Sequence, residues 1–217
     1  MTHEEIIDNT RQFVETSLAG AEGGHDWWHI YRVWKLAVNI AAAEKADILV
    51  VELAALLHDI ADAKFHDGDE TKGPRMAGEF LQTLNVDEHV IDHVSKIISN
   101  ISFKGGQVAR TFSSAELSVV QDADRLDAMG AIGIARTFNY GGFRNREIYN
   151  PGIPPVPGMD KETYRLSQAP TINHFYEKLL LLKDLMNTGT GKRMAERRHD
   201  FMLAYLDEFF REWEGEN

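Results

Sequence analysis

Residues 48–62 read ILVVELAALLHDIAD. A helix that is apolar on nearly every side belongs in the middle of a protein, and Asp47 just before it is a natural N-cap. The run from Ile48 to Leu57 is interrupted by Glu52 and falls far short of the ~20 apolar residues a membrane span requires, so no transmembrane segment is expected. Outward from this central helix, the periodicity predicts a helix over about 26–44, with Ile30, Val33, Trp34, Ala37 and Ala41 forming one buried stripe. An earlier helix over 3–19 stops at Gly20, and GAEGG reads as a turn. Further helices are expected at about 74–84, at 87–100 after Asp87, and after an SSAE capping box at Ser113 to Glu116. No run alternates convincingly in the manner of a strand, so the fold class is all-α.

Two more helices are expected in the last third, packed as an antiparallel hairpin. One begins at Thr171 with Ile172, Phe175, Leu179, Leu182 and Met186 inward, and one begins near Thr190 with Met194, Phe201, Tyr205, Phe209 and Trp213 inward. Residues 140–170 hold five of the six prolines and read as a long loop of the kind that forms lids or binding loops. The 217 residues are therefore expected to form one domain, 1–217, with a core over about 20–137, a lid over 140–170 and a C-terminal helical hairpin over 171–217.

Composition narrows the function. The chain has no cysteine, which excludes disulfides and thiolate metal sites, and the start MTHEEIIDNTRQF lacks the basic and apolar segments of a secretion signal. A cytoplasmic protein is expected. With 34 acidic against 23 basic residues, a net charge of -11 is poorly suited to gripping a nucleic-acid backbone. Neither a nucleic-acid polymer nor a membrane is an expected partner, and any phosphorylated substrate should be small. The protein is expected to act as a monomer or homodimer.

The chemistry concentrates in three clusters. His58 and Asp59 end the central apolar helix, and a carboxylate placed there must meet a cation, hydrogen-bond donors or a metal ion. Asp62 falls on the same side of that helix. Taken alone, the pair reads equally well as a helix C-terminus, the imidazole answering the helix dipole and the aspartate capping the next segment. The second cluster, GHDWWHIYRV, places His29 one turn before Arg32 and Val33; imidazole and carboxylate together form the ligand set of Mn, Fe, Co, Ni, Zn or Mg. His25 in the preceding turn reads as solvated, and Trp27 and Trp28 as packing residues that could also stack a base. The third cluster, VVQDADRLDAMGAIGIA, sets Asp122, Asp124 and Asp127 into an otherwise apolar run. Helical phase does not choose among the three; one fits a ligand role, with Arg125 neutralising another.

A histidine, an adjacent His-Asp pair on a buried helix and a distant aspartate together resemble the HD-domain metal-dependent phosphohydrolases. The stretches GHDWWHIYRVW, AALLHDIADAKFHDGDE, NISFKG, VVQDADRLDAMGAIGIARTF, GGFRNREIYNP and TINHFYEKLLLLKDLMNT are similar to the bacterial branch called YedJ-like or YpgQ-like, and the likeness spans most of the chain. It implies an HD-type helical bundle. It also implies one divalent metal ion, with Mn first and Mg, Co, Ni, Fe or Zn as alternatives, held by His29, His58, Asp59 and Asp124. Asp122 is the runner-up for the fourth position. Related enzymes often carry a water-orienting glutamate three residues after the pair; here that position is Asp62, whose shorter side chain departs from the pattern.

These readings assign Asp62 to orient or deprotonate a water, and Lys64 and Arg32 to meet phosphate charge near the metal. Lys104 in SFKG and Arg144 and Arg146 in the lid are further phosphate-binding candidates. His89, His93, Lys96 and Asn100 form the polar face of the 87–100 helix, and His93 and Lys96 are assigned to the phosphate end of the cleft. For each cation the plain alternative is a solvated surface charge. The resemblance favours cleavage of a nucleoside triphosphate to monophosphate and pyrophosphate. A nucleotide phosphomonoesterase and a non-catalytic nucleotide- or metal-binding regulator are the alternatives, and a purely structural bundle would leave the acids around residue 122 unaccounted for.

Overall fold

The computed structural model describes residues 1–20, 26–61, 69, 71–101, 112–160, 163 and 166–216. Every regular element among them is helical, as expected, and none of these helices is long and apolar enough to cross a membrane. The chain divides into two compact units, Met1–Ala123 and Asp124–Asn217.

The first unit contains α1 (His3–Ser17), α2 (Trp27–Glu44), α3 (Ile48–Leu57), α4 (Lys72–Thr83), α5 (Glu88–Asn100) and most of α6 (Ala115–Asp127). α3 is the central element, packed against α1, α2 and α5, while α4 lies on α5. Leu53 to Leu57 are without exposure, which is what an all-round apolar helix requires. Its start is fixed by Asp47, whose Oδ1 accepts from the Val50 amide at 3.2 Å, satisfying one of the orphan donors of the first turn. The expected α2 stripe of Ile30, Val33, Trp34, Ala37 and Ala41 is buried throughout. α1 starts on a reciprocal capping box between Thr2 and Glu5.

The cap of α6 differs from expectation by one residue. Ser114, not Ser113, accepts from the Leu117 amide at 3.0 Å. Glu116 is thereby freed from a capping box and accepts instead from the Asp47 amide at 3.1 Å, tying the start of α6 to the start of α3.

The second unit holds the end of α6 followed by α7 (Gly130–Phe143), α8 (Asn173–Glu177), a 3₁₀ segment over Leu179–Leu185 and α9 (Gly189–Trp213). α9 packs on α7 and on the 3₁₀ segment. The sequence offers no clear break between α6 and α7; the chain turns at Ala128 and Met129, and a Cβ on Gly133 would stand 2.3 Å from the Ala128 carbonyl oxygen. Asp127, 1 % exposed, accepts from Arg136 Nη1 at 2.7 Å across that turn, and Arg198 of α9 donates to the Leu126 carbonyl.

The C-terminal pair departs from the expected pattern in two ways. The helix from Thr171 lasts only five residues before Lys178 leaves helical geometry and the chain tightens to 3₁₀. Its inward residues Ile172, Phe175, Leu179, Leu182 and Met186 are nevertheless buried. α9 buries Gly191, Ala195, Met202 and Leu206, while Phe201 and Trp213 are exposed. Spacings of one and two helical turns connect Gly191, Ala195, Met202 and Leu206 into the true inner stripe. Phe209 and Trp213 lie on its flank, where Tyr149 packs edge-on against Phe209, Phe210 and Trp213.

Candidate metal centre

His29 stands in the first turn of α2, 2 % exposed. Asp26 sets that turn by accepting from the His29 amide at 2.9 Å. His58 follows directly on α3 and Asp59 comes next, both half-buried. One ligand atom from each of His29, His58 and Asp59 lies within 4.8 Å of the others, and the two imidazoles meet edge-on with centroids 5.5 Å apart.

Hydrogen bonding orients this donor set. His58 Nδ1 lies 2.8 Å from the Ala55 carbonyl oxygen, an acceptor only, so Nδ1 is the donor there and Nε2 is the ring nitrogen left to face a metal. Glu52, the polar interruption of the apolar helix, secures the helices that carry the two histidines. Its Oε1 accepts from Trp34 Nε1 of α2 at 2.9 Å, and its Oε2 lies 2.6 Å from His3 Nε2 of α1. Sequence reasoning noted Glu52 only as a break in the apolar run. The rule that a buried carboxylate needs partners was the signal available for it.

Two imidazoles and a carboxylate converging at this spacing fit a divalent cation, and the donor chemistry favours a transition metal over the all-oxygen shells of calcium. Of the remaining acids, Asp122 is closed off from solvent and Asp124 is half-buried two residues further along α6. Asp127 is committed to Arg136.

The other candidates are dispersed. Arg32 is half-buried on α2, one turn beyond His29. His93 Nε2 lies 3.0 Å from Ser114 Oγ and 3.5 Å from Glu116 Oε2, with Phe112 edge-on to its ring. Burial alone would push the Glu116 carboxyl up, but hydrogen bonds from the Asp47 amide, its own amide and Ser114, with His93 nearby, hold it below its ordinary value. Lys96 is exposed and paired with Asp92 at 2.6 Å. Arg144 is exposed at the end of α7, while Arg146 is half-buried. Asp62, Lys64, Lys104 and His25 lie outside the described residues. Trp28 is 61 % exposed and forms an edge-on aromatic contact with Tyr31.

Comparison with known proteins gives this geometry its context. The HD domain family matches residues 27–129, a span that includes His29, His58, Asp59 and Asp124. YpgQ of Bacillus subtilis is 39 % identical over 200 residues, covering 92 % of this chain and 89 % of YpgQ. An HD-superfamily hydrolase from Bacillus thuringiensis superposes with a TM-score of 0.80 at 44 % identity, covering 98 % of this chain and 99 % of its own. The structure of Bacillus subtilis YpgQ in complex with ADP superposes with a TM-score of 0.78 at 37 % identity, covering 98 % and 97 % of the two chains. With its two histidines and its aspartate gathered at the end of a buried helix, the chain belongs to the HD-domain family of hydrolases, in the branch that contains YpgQ.

Proposed function

We propose that the protein is a metal-dependent nucleoside triphosphate pyrophosphohydrolase, adding water to convert a ribo- or deoxyribonucleoside triphosphate to the monophosphate and pyrophosphate. The observation that carries the reading is the convergence of His29, His58 and Asp59 within 4.8 Å, with the His58 ring fixed by the Ala55 carbonyl. The ADP complex of Bacillus subtilis YpgQ supports a nucleotide as the ligand class.

Asp124 is assigned as the fourth ligand, with Asp122 as the runner-up. A divalent ion in such a site, manganese in this reading, supplies Lewis acidity toward a phosphoryl oxygen and lowers the pKa of water. Asp62 accepts the proton of the attacking water, and Lys64 and Arg32 offset the charge that develops on the phosphoryl oxygens. Lys104, Arg144 and Arg146 are assigned to the remaining phosphates. His93 and Lys96 already face Glu116 and Asp92 of the chain itself, which places them behind the other cations as phosphate contacts.

Chelation tests the metal requirement. EDTA treatment followed by desalting is expected to lower triphosphate hydrolysis more than about a hundredfold, and stoichiometric manganese to restore it. Undiminished hydrolysis by demonstrably metal-free protein would overturn the proposal.

A further inference from the structure

The chain between α7 and α8 is fixed in place yet leaves apolar side chains in the open. The Glu147 and Ile148 carbonyls accept from the Thr171 and Ile172 amides at 2.8 and 3.0 Å, and the Ile153 carbonyl accepts from Asn173 Nδ2 at 2.9 Å. Asn173 is buried, which makes that bond costly to break. Glu177, at the end of α8, accepts from the Val156 amide through Oε1 at 3.1 Å. Ile153 and Val156 nevertheless remain 43 % and 56 % exposed.

These two side chains, with Pro154 and Met159, form apolar walls of a cavity of about 320 Å³. Ligand pockets typically span roughly 300–1,000 Å³, with mostly apolar walls and a few placed polar groups. Two such groups stand here. The Glu177 carboxylate lines the cavity, its orientation set by the Val156 amide. Ser167 lines it as well, and its carbonyl accepts from Arg146 Nη2 at 2.7 Å, which places a guanidinium next to the lining. An occupant that matches all of this has a compact apolar body, a donor for the carboxylate and an anionic group toward Arg146. A hydrocarbon chain lacks the donor, and a simple inorganic anion lacks the apolar body. A nucleotide has all three in its base, the polar edge of that base and its phosphate.

We infer that this cavity receives the nucleobase of the nucleotide substrate, with Glu177 as the residue that reads its edge. Guanine presents a ring N–H and an amino group side by side, two donors that a carboxylate accepts together. Uracil presents one N–H between two carbonyl oxygens, which the carboxylate repels. Guanine is therefore favoured over uracil. The inference rests on the nucleotide reading above, and it adds a specificity-determining residue that neither the HD motif nor the metal ligands point to.

The test is calorimetric titration of the full-length, manganese-loaded protein with GMP, UMP and ribose 5-phosphate. Each carries one phosphate and the last has no base, so differences among them report the base alone. GMP is expected to bind about ten- to a hundredfold more tightly than ribose 5-phosphate and about tenfold more tightly than UMP. Replacing Ile153→Ala and Val156→Ala together should bring GMP down to the level of ribose 5-phosphate. Glu177→Gln, which keeps an oxygen for the Val156 amide, should remove the preference for GMP over UMP. The exposed α9 control Leu203→Ala should stay within about twofold of the unaltered protein. Binding is read without turnover: a protein that binds GMP in this pattern but hydrolyses no triphosphate would refute the pyrophosphohydrolase reading and uphold the cavity. No binding of GMP, equal binding of GMP and ribose 5-phosphate, or undiminished GMP binding in the double variant of unchanged circular dichroism would overturn the site. Equal binding of GMP and UMP would overturn the role of Glu177.

Discussion

Asp59→Ala protein is expected to lose its metal and, with it, hydrolysis, while its helical content stays unchanged. Removing even a residue that only supports a ligand lowers metal affinity about 10- to 100-fold, so loss of the carboxylate itself should exceed about a hundredfold. The fold should tolerate the change. Asp59 lies beyond the end of α3, half-buried, whereas the core weight of α3 is carried by Leu53 to Leu57. His58→Ala should behave alike, because the Ala55 carbonyl orients a ring that contributes little to the core. Elemental analysis of the purified variants, with circular dichroism as the check on folding, reads the outcome. Stoichiometric metal in either variant would remove these residues from the site.

The largest expected loss of stability is at Asp127, far from any ligand role. Its carboxylate is buried and receives Arg136, and its charge also reaches Arg198, whose guanidinium burial disfavours and Asp127 favours. Alanine there removes the carboxylate that pairs with Arg136 and favours the charged form of Arg198. Breaking a buried pair costs about 3–5 kcal/mol; because Arg136 is partly exposed and can recover water, the lower figure of about 3 kcal/mol applies. At about 2–4 °C per kcal/mol for a chain of this size, the melting temperature should fall by roughly 6–12 °C. Arg211→Ala removes an exposed α9 pair with Asp207 and Glu208 and should cost less than about 1 kcal/mol. Calorimetry of the two variants side by side checks the account, which fails if both lose the same.

The readable parts of this protein were those where one physical demand dominates. α3 is apolar all round, so only a central position satisfies it. His29, His58 and Asp59 stood out because imidazole and carboxylate groups set against an apolar helix demand a partner, and a shared metal ion meets that demand for all three. Their convergence follows from the packing of α2 on α3. Features decided by backbone detail were less legible. Ser113 and Ser114 are chemically identical, and only the local dihedral path selects Ser114 as the cap. TINHFYEKLLLLKDL carries a continuous helical pattern, yet the chain departs from α geometry at Lys178, because 3₁₀ and α share a near-threefold spacing over so short a span. On α9 the large aromatics suggested the inner face, but the smaller Ala195, Met202 and Leu206 fill it.

The most direct test of the central claim is anion-exchange analysis of products after incubating manganese-loaded protein with ribo- and deoxyribonucleoside mono- and triphosphates, with Asp59→Ala as control. The account predicts nucleoside monophosphate and pyrophosphate in equal amounts from triphosphates, and neither from the control. Nucleoside and free phosphate from monophosphates, or no turnover of any nucleotide by metal-loaded protein, would contradict it.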